Sequence, residues 1–501
     1  MIILMLESIL IWFAGTSLAL GLLYCLKFSV VSSKSRLLGV LPLVISVYAS
    51  SKLLERDPGF LELYCFVINL GVVFMALKLV FGKSELKYIH KSNLRALPWY
   101  LISIMAILFV DILLSGWAIR TGLHLPLIKA VEILALSVGV FISTLIALEK
   151  YKFKPAIHQT NKADLPTVSL LIPARNETNV LNEALQIVAD IDYSKLETLV
   201  ADDCSQDDTP EIIKEFAHSG IRFVKGAEPH SSWIGKNRAY SLLLEEASGD
   251  FVAFQGVDVR PHPTSISLIV DYMLENKLDM VSVLPQKRNL DLLANFLQPL
   301  RYFWQLVLPR TKNSTPAVLS SFFIVNRKKL EKIGGFGSFK NAIEPEAFIA
   351  REFAKTGRYK FLIADSKLQI TTRKRLHSQI STAERTLYPL LHRNIFYVSL
   401  VVLFLAVYVV APFLVLVYSL FNGFTASAIL ATMGALILLL SHILVSIKIT
   451  PKAWYLSLIN LPVSALLQII MVLWSAYKYE FSTVLWKGRD VCIPVMKRKK
   501  Y

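Results

Sequence analysis

Val168-Ser169-Leu170-Leu171-Ile172-Pro173-Ala174-Arg175-Asn176-Glu177 is an apolar run that ends abruptly in polar residues. Such a run, bounded by a turn signal, reads as a strand buried on both faces, the kind found in parallel sheets covered by helices. The unit recurs along the chain. Short β-rich runs at 168–172, 196–201, 251–254, 280–283 and 319–325 alternate with helical stretches such as 177–190, 209–218 and 235–247. That alternation predicts an α/β domain with a mostly parallel sheet. Ligands of such sheets bind beyond the carboxyl ends of the strands, which is where Pro173, Arg175 and Glu177 fall. A plain strand-to-helix turn with a polar cap fits them equally.

Outward from this domain the composition changes. Of the 501 residues 54% are apolar and 18% charged, and nearly all carboxylates lie between about 160 and 390. Crossing about 30 Å of hydrocarbon takes roughly 20 apolar residues. Five such segments precede the domain, at about 3–26, 38–54, 60–81, 98–117 and 126–148; three follow, at about 395–420, 426–448 and 455–477. The predicted organisation is a transmembrane bundle over 1–150, the α/β domain over 166–392, a second bundle over 395–478 and a basic tail over 479–501. A cleavable signal peptide is not expected, because the first apolar run starts directly after Met1 without a basic region.

Basic residues set the orientation. Lys27, Lys34 and Arg36, then Lys83, Lys87, Lys91 and Arg95, then Lys150, Lys152 and Lys154 alternate with loops that carry little charge. The positive-inside rule puts the N-terminus outside and the domain in the cytoplasm, at a cell inner membrane. Three C-terminal spans would strand Lys497, Arg498, Lys499 and Lys500 outside, so one of these segments is expected to be re-entrant or interfacial, broken at Pro412 or Pro462. A net charge of +17 suits nucleic acid, anionic lipid or a phosphorylated substrate, and its clustering beside apolar runs favours lipid contact and topology setting over nucleic acid. Cys25, Cys65, Cys204 and Cys492 have neither disulfide-framework nor metal spacing.

Four further motifs follow the first in order. They are Asp202-Asp203-Cys204-Ser205-Gln206-Asp207-Asp208-Thr209, then Trp233-Ile234-Gly235-Lys236, then Gln255-Gly256-Val257-Asp258-Val259-Arg260, and finally Ile333-Gly334-Gly335-Phe336 ahead of Glu344-Pro345-Glu346. Asp207, Asp208 and Thr209 also read as helix caps. Together the five resemble family 2 glycosyltransferases of the GT-A fold, in particular membrane-bound members with lipid acceptors, such as hopanoid- and carotenoid-associated enzymes and ceramide glucosyltransferase. The resemblance covers about 166–375 and Trp486-Lys487-Gly488-Arg489.

The resemblance implies a nucleoside diphosphate-sugar donor. Asp202, with Asp203 beside it, would contact the base, and Trp233, Lys236 and Arg489 would lie near the diphosphate. Relatives carry Asp-x-Asp where this chain has Gly256-Val257-Asp258, so Asp258 keeps the position that ligates Mg²⁺ or Mn²⁺ while Gly256 replaces the ribose-contacting aspartate. Aligning on Ile349-Ala350-Arg351 puts Glu346 at the position of the family's base and Pro345 before it; Glu344 competes for the role. No Gln-x-x-Arg-Trp follows Gln379, which points away from polymerisation.

Apolar residues at helical spacing over 290–309, among them Leu300, Phe303 and Trp304, predict a helix lying in the headgroup plane, unless it is a core helix. Asp111, Lys129 and Glu132 fall inside predicted spans, where ionisable groups are costly; Lys129 and Glu132 are expected to pair. The function predicted is inverting transfer of one sugar to a membrane lipid hydroxyl or a polyprenyl phosphate, with a divalent cation and no nucleic acid. The alternatives are a degenerate, non-catalytic relative, which Gly256 and Pro345 favour, and a lipid transporter with an accessory domain. Oligomeric state is not legible.

Overall fold

The structure is a computed structural model that describes residues 125–491, apart from 159, 162, 229–232, 289–293 and 309–315. The first four expected spans, Asp111 and the basic end of the tail lie outside the described residues.

Helix α1 (Leu125–Lys150) leads into the domain, which opens with strand–helix units: β1 (Val168–Ala174), α2 (Thr178–Ala189), β2 (Leu196–Asp202), α3 (Thr209–Glu215), β3 (Ile221–Lys225), α4 (Gly235–Glu246) and β4 (Phe251–Gln255). Next come β5 (Val259–Arg260), α5 (Ser265–Glu275), β6 (Met280–Leu284), β7 (Gln286–Lys287), α6 (Ala294–Val307), β8 (Phe322–Asn326), α7 (Arg327–Lys332), α8 (Pro345–Lys355), β9 (Tyr359–Ile363) and β10 (Thr371–Thr372). The strands build a seven-stranded sheet in the order β3-β2-β1-β4-β8-β6-β9. All pairs are parallel except those of β8, which runs antiparallel to β4 and β6.

Helices cover both faces, as the continuous apolar strands require. Leu181 and Leu185 of α2 pack with Ile269 and Val270 of α5 on one side. Tyr240 and Leu243 of α4 pack with Ile349 and Phe353 of α8 on the other. The strand expected over 319–325 begins only at Phe322, because the backbone N–H of Leu319 donates to the Ser282 hydroxyl instead of to a ladder partner. The helix expected over 209–218 leaves α geometry after Glu215 and closes as a 3₁₀ turn, Phe216–Ser219, ending at left-handed Gly220. A second sheet, β5-β10-β7, was not anticipated; its two-residue strands are too short for any periodic signal.

After β10 come α9 (Leu376–Leu390), α10 (Ile395–Phe404), α11 (Ala411–Asn422), α12 (Ala426–Ile449) and α13 (Ser457–Phe481). Among the described residues, four helices are long and apolar enough to cross a membrane: Lys129–Lys150, Tyr397–Asn422, Ala426–Ile449 and Trp454–Glu480. Pro412 does not break the second, because a π-helical turn, Leu405–Val410, absorbs the missing donor just before it. Pro462 likewise stays inside a continuous helix. Lys129 and Glu132 form the expected pair at 3.0 Å.

Helices α1 and α12 run side by side in the same direction. Ala147 and Tyr151 share a cluster with Val445 and Ile449, and Gly434 lies so close to Ile133 that a Cβ there would meet its side chain at 2.9 Å. Helix α13 behaves differently, since both its ends rest on the domain side. Asn460 donates to the Asn295 carbonyl in α6 at 3.3 Å, and Tyr479 donates to the Arg385 carbonyl in α9 at 2.7 Å. Helices α6, α9 and α13 thus form one layer between the sheet domain and the apolar helices, and the residues after α13 return to the domain. The helix predicted over 290–309 occupies this layer: Leu300 and Phe303 are fully buried, and Arg301 donates to the Thr386 hydroxyl of α9 at 2.7 Å.

Candidate active site

The carboxyl ends of β1, β2 and β3 lie in register, so the residues after them meet. Ala174 pairs with Asp202, and Asp202 with Lys225. The N–H of Asp203 donates to the Ala174 carbonyl at 2.8 Å. Pro173 is the penultimate residue of β1 and aims the chain toward Arg175. Arg175, 7% exposed, donates to the carbonyls of Asp203 and Cys204 and ties the first two motifs together. Asp202 accepts the Ser205 N–H at 3.1 Å, and Asp207 accepts from the N–H groups of Thr178 and Thr209, the first residues of α2 and α3, whereas Asp208, the N-cap residue of α3, makes no side-chain cap bond.

The tail completes this end of the cleft. Leu485–Trp486 (β11) and Arg489–Asp490 (β12) form a hairpin whose turn residues, Lys487 (φ 48°) and Gly488 (φ 81°), both have left-handed backbone, as two-residue hairpin turns require. Lys487 reaches the Asn176 carbonyl at 2.9 Å and Glu177 at 3.0 Å, while Arg175 donates to the Lys487 carbonyl at 3.0 Å. Arg489 pairs with Asp203 at 2.5 Å and Glu228 at 2.8 Å. Burial raises the Asp203 carboxyl and Arg489 opposes it; burial likewise raises Glu177, with Lys487 opposing. Gly235 opens α4 directly against this ion pair, and a Cβ there would stand 2.5 Å from the Arg489 guanidinium. Trp233 precedes it with the Arg238 guanidinium 5.7 Å from its ring centre.

Asp258 sits between β4 and the small sheet. Its Oδ2 accepts from Thr372 at 3.0 Å and lies 3.3 Å from the Lys374 ammonium. Burial by itself would raise this carboxyl; Lys374 and Lys287 outweigh it and hold it below the usual carboxylate range. A Cβ on Gly256 would touch Asp258 Oδ1 at 2.8 Å, so glycine is what lets this carboxylate turn inward. Oδ1 accepts no hydrogen bond among the described residues, and no group of three or more His, Cys, Asp or Glu side chains surrounds a point among them. One carboxylate oxygen suits a hard cation whose other ligands come from a diphosphate and water.

Glu344 and Glu346 stand at the far side. Pro345 starts α8, so Glu344 is its N-cap residue and Glu346 lies in the first turn, 5% exposed. Burial, then the neighbouring Glu346, push the Glu344 carboxyl up to about 7, against Arg301, Lys236 and Arg385. Burial lowers the Lys236 ammonium while Glu346 supports its charge. Asn237, fully buried, donates to the carbonyls of Phe339, Lys340 and Ala342 and so fixes the start of α4 to the segment that delivers Glu344.

Several groups of this cleft escaped the sequence reading. Lys287 is 4% exposed, with its ammonium 4.6 Å from the Tyr302 ring centre. Burial would raise the Tyr302 phenol, but Lys287 and Arg301 bring it down to about 8. Arg301, Lys374, Arg385 and Glu228 were also missed, while Lys487 was named only as part of the Trp486-Lys487-Gly488-Arg489 motif. The triplet Arg373-Lys374-Arg375 was a visible charge cluster; the rest carried no local signal. The result is a cation-rich cleft with carboxylates at each end, floored by α6 and α9.

Residues 169–334 match the family described as glycosyl transferase family 2. A probable glycosyltransferase, YdaM, of Bacillus subtilis (strain 168) is 29% identical over 188 residues, 35% of this chain and 44% of that protein. Glycosyltransferase AglE of Haloferax volcanii is 32% identical over 121 residues, 23% of this chain and 38% of its own length. The matches thus span less than half of either relative. Among solved structures, mannosyltransferase PcManGT from Pyrobaculum calidifontis, in complex with GDP-Man and Mn²⁺, aligns with TM-score 0.42 and 18% identity over 70% of this chain and 99% of that one.

Proposed function

We propose that the protein, whose residues 169–334 match glycosyl transferase family 2, is a GT-A glycosyltransferase that transfers one sugar, with inversion, from a nucleoside diphosphate-sugar to a hydroxyl or phosphate of a membrane lipid. The observation that carries this reading is the pairing, in one cleft, of a cation-rich wall with a buried carboxylate, above a layer of helices shared with membrane-length spans. Asp202 and Asp203 bind the nucleoside end of the donor, and Arg489, paired with Asp203, serves the diphosphate. Lys236, Lys287 and Lys374 face the diphosphate and offset the charge that builds on it as it leaves. A divalent cation, when bound, would be held by Asp258 and would add positive charge at the diphosphate.

Glu346 removes the proton from the acceptor hydroxyl as that oxygen bonds to the sugar's C1. The C1–O bond to the diphosphate breaks on the opposite face, and its electron pair leaves with the diphosphate. A lipid phosphate acceptor would need no such base, so the acceptor decides how much Glu346 matters. The layer α6–α9–α13 supports a lipid acceptor because it brings the cleft to the apolar helices. Purified protein in lipid, supplied with labelled nucleoside diphosphate-sugars, tests the reading by formation of a lipid-linked sugar and free nucleoside diphosphate. If donors bind and no donor turns over with any lipid extract, the non-catalytic alternative stands.

A further inference from the structure

A second, separate cavity lies behind the small sheet. Successive side chains of a strand point to opposite faces, and β10 uses both. Thr372 bonds Asp258, as above, whereas Thr371 lines an open cavity of about 540 Å³. Arg260, His262, Gln286, Arg288 and Arg373 line it as well. Three arginines and Asp190 therefore share the lining. Glu183 is divided between two cations, at 3.4 Å from Arg260 and 2.8 Å from Arg373. Arg288 is exposed, with no carboxylate partner among the described residues. Arg260 is 6% exposed; its terminal nitrogens donate to the carbonyls of Val257, Val259 and Val180 and to Glu183, yet its Nε–H has no partner. A buried donor left unmade is costly, which marks this corner of the fold as short of acceptor oxygens.

We propose that this cavity is a binding site for a phosphate-bearing ligand, either the headgroup of an anionic lipid or a free phosphate ester. Guanidinium forks match phosphate oxygens in pairs, and Gln286 and Thr371 add neutral polar groups. Strand β7, which carries Gln286, packs against α12, so the cavity lies beside a membrane-length helix and within reach of headgroups. The site is distinct from the sugar-transfer cleft and does not depend on its activity.

The test uses full-length protein in detergent with nucleoside diphosphate saturating the cleft. Inorganic phosphate is titrated by calorimetry; in a second arm, phosphatidylglycerol or phosphatidylcholine is added and bound lipid is read by native mass spectrometry. A free-ester site gives saturable phosphate binding, and a lipid site retains phosphatidylglycerol but not phosphatidylcholine. In whichever arm binding occurs, Arg288→Glu weakens it on the order of tenfold or more, Arg288→Lys preserves most of it, and nucleoside diphosphate affinity is unchanged in both variants. No binding in either arm, or binding that Arg288→Glu leaves intact, overturns the proposal.

Discussion

Two carboxylates two positions apart, Glu344 and Glu346, are separated by their surroundings. Glu346 is fixed in the first turn of α8 and buried, while Glu344 stands outside the helix with its carboxyl held up to about 7. Replacing Glu346 with Gln is expected to lower turnover by roughly 10²- to 10⁴-fold with a hydroxyl acceptor, the usual worth of a general base, while donor binding measured by calorimetry stays intact. Glu344→Gln should be milder, and the reverse ranking would move the base to Glu344. The sign of the pH effect follows from the raised value. Burial and the proximity of Glu346 let this carboxyl pair keep a proton up to about 7, and losing it frees a carboxylate to act as base, so kcat/KM rises with pH through about 7. Glu344→Gln should flatten that rise. At the other acid, Gly256→Asp would restore the Asp-x-Asp that relatives carry, yet a Cβ already meets Asp258 Oδ1 at 2.8 Å. We expect it to reduce activity about tenfold or more, as overpacking a fixed site does; a gain would show that Asp258 turns freely.

Among the elements, the C-terminal hairpin joins the most distant parts of the sequence. Its turn needs left-handed backbone at Lys487 and Gly488, which a β-branched residue adopts only with strain. Gly488→Val should therefore withdraw Lys487 and Arg489 together, leaving Asp203 buried without its cation at a cost of about 3 kcal/mol. The readout is nucleoside diphosphate affinity, expected to fall at least as far as in Arg489→Ala; equal affinity in both variants and the parent would remove the hairpin from the donor site. The motif Trp486-Lys487-Gly488-Arg489 was legible only as part of the family resemblance, with Arg489 expected near the donor. Its place beside Asp203 was not, because nothing local encodes a contact between residues 286 positions apart.

Across the whole molecule, α13 ends against α9 and the hairpin after it reaches Asp203, so we expect residues 482–491 to lie on the same side of the membrane as the domain. Cysteines introduced as His158→Cys, Gly423→Cys and Asp490→Cys, in a background without native cysteines, should label in two classes from outside intact cells: position 423 accessible, 158 and 490 protected. Labelling 490 together with 423 would refute the shared side of the tail and domain. By itself the sequence determined the alternation of strands and helices, the membrane-length spans from 126 onward, and the order of the motifs, since these rest on periodicity, length and turn chemistry within a few residues. Tertiary structure alone decided that β8 runs antiparallel, that α13 lies along the domain, and that Lys287, Tyr302, Lys374, Arg385 and Arg489 share one cleft with Asp258 and Glu346. Those outcomes depend on which apolar faces find each other and on which buried charges must be matched across the fold, and both are properties of the packed chain rather than of any stretch of it.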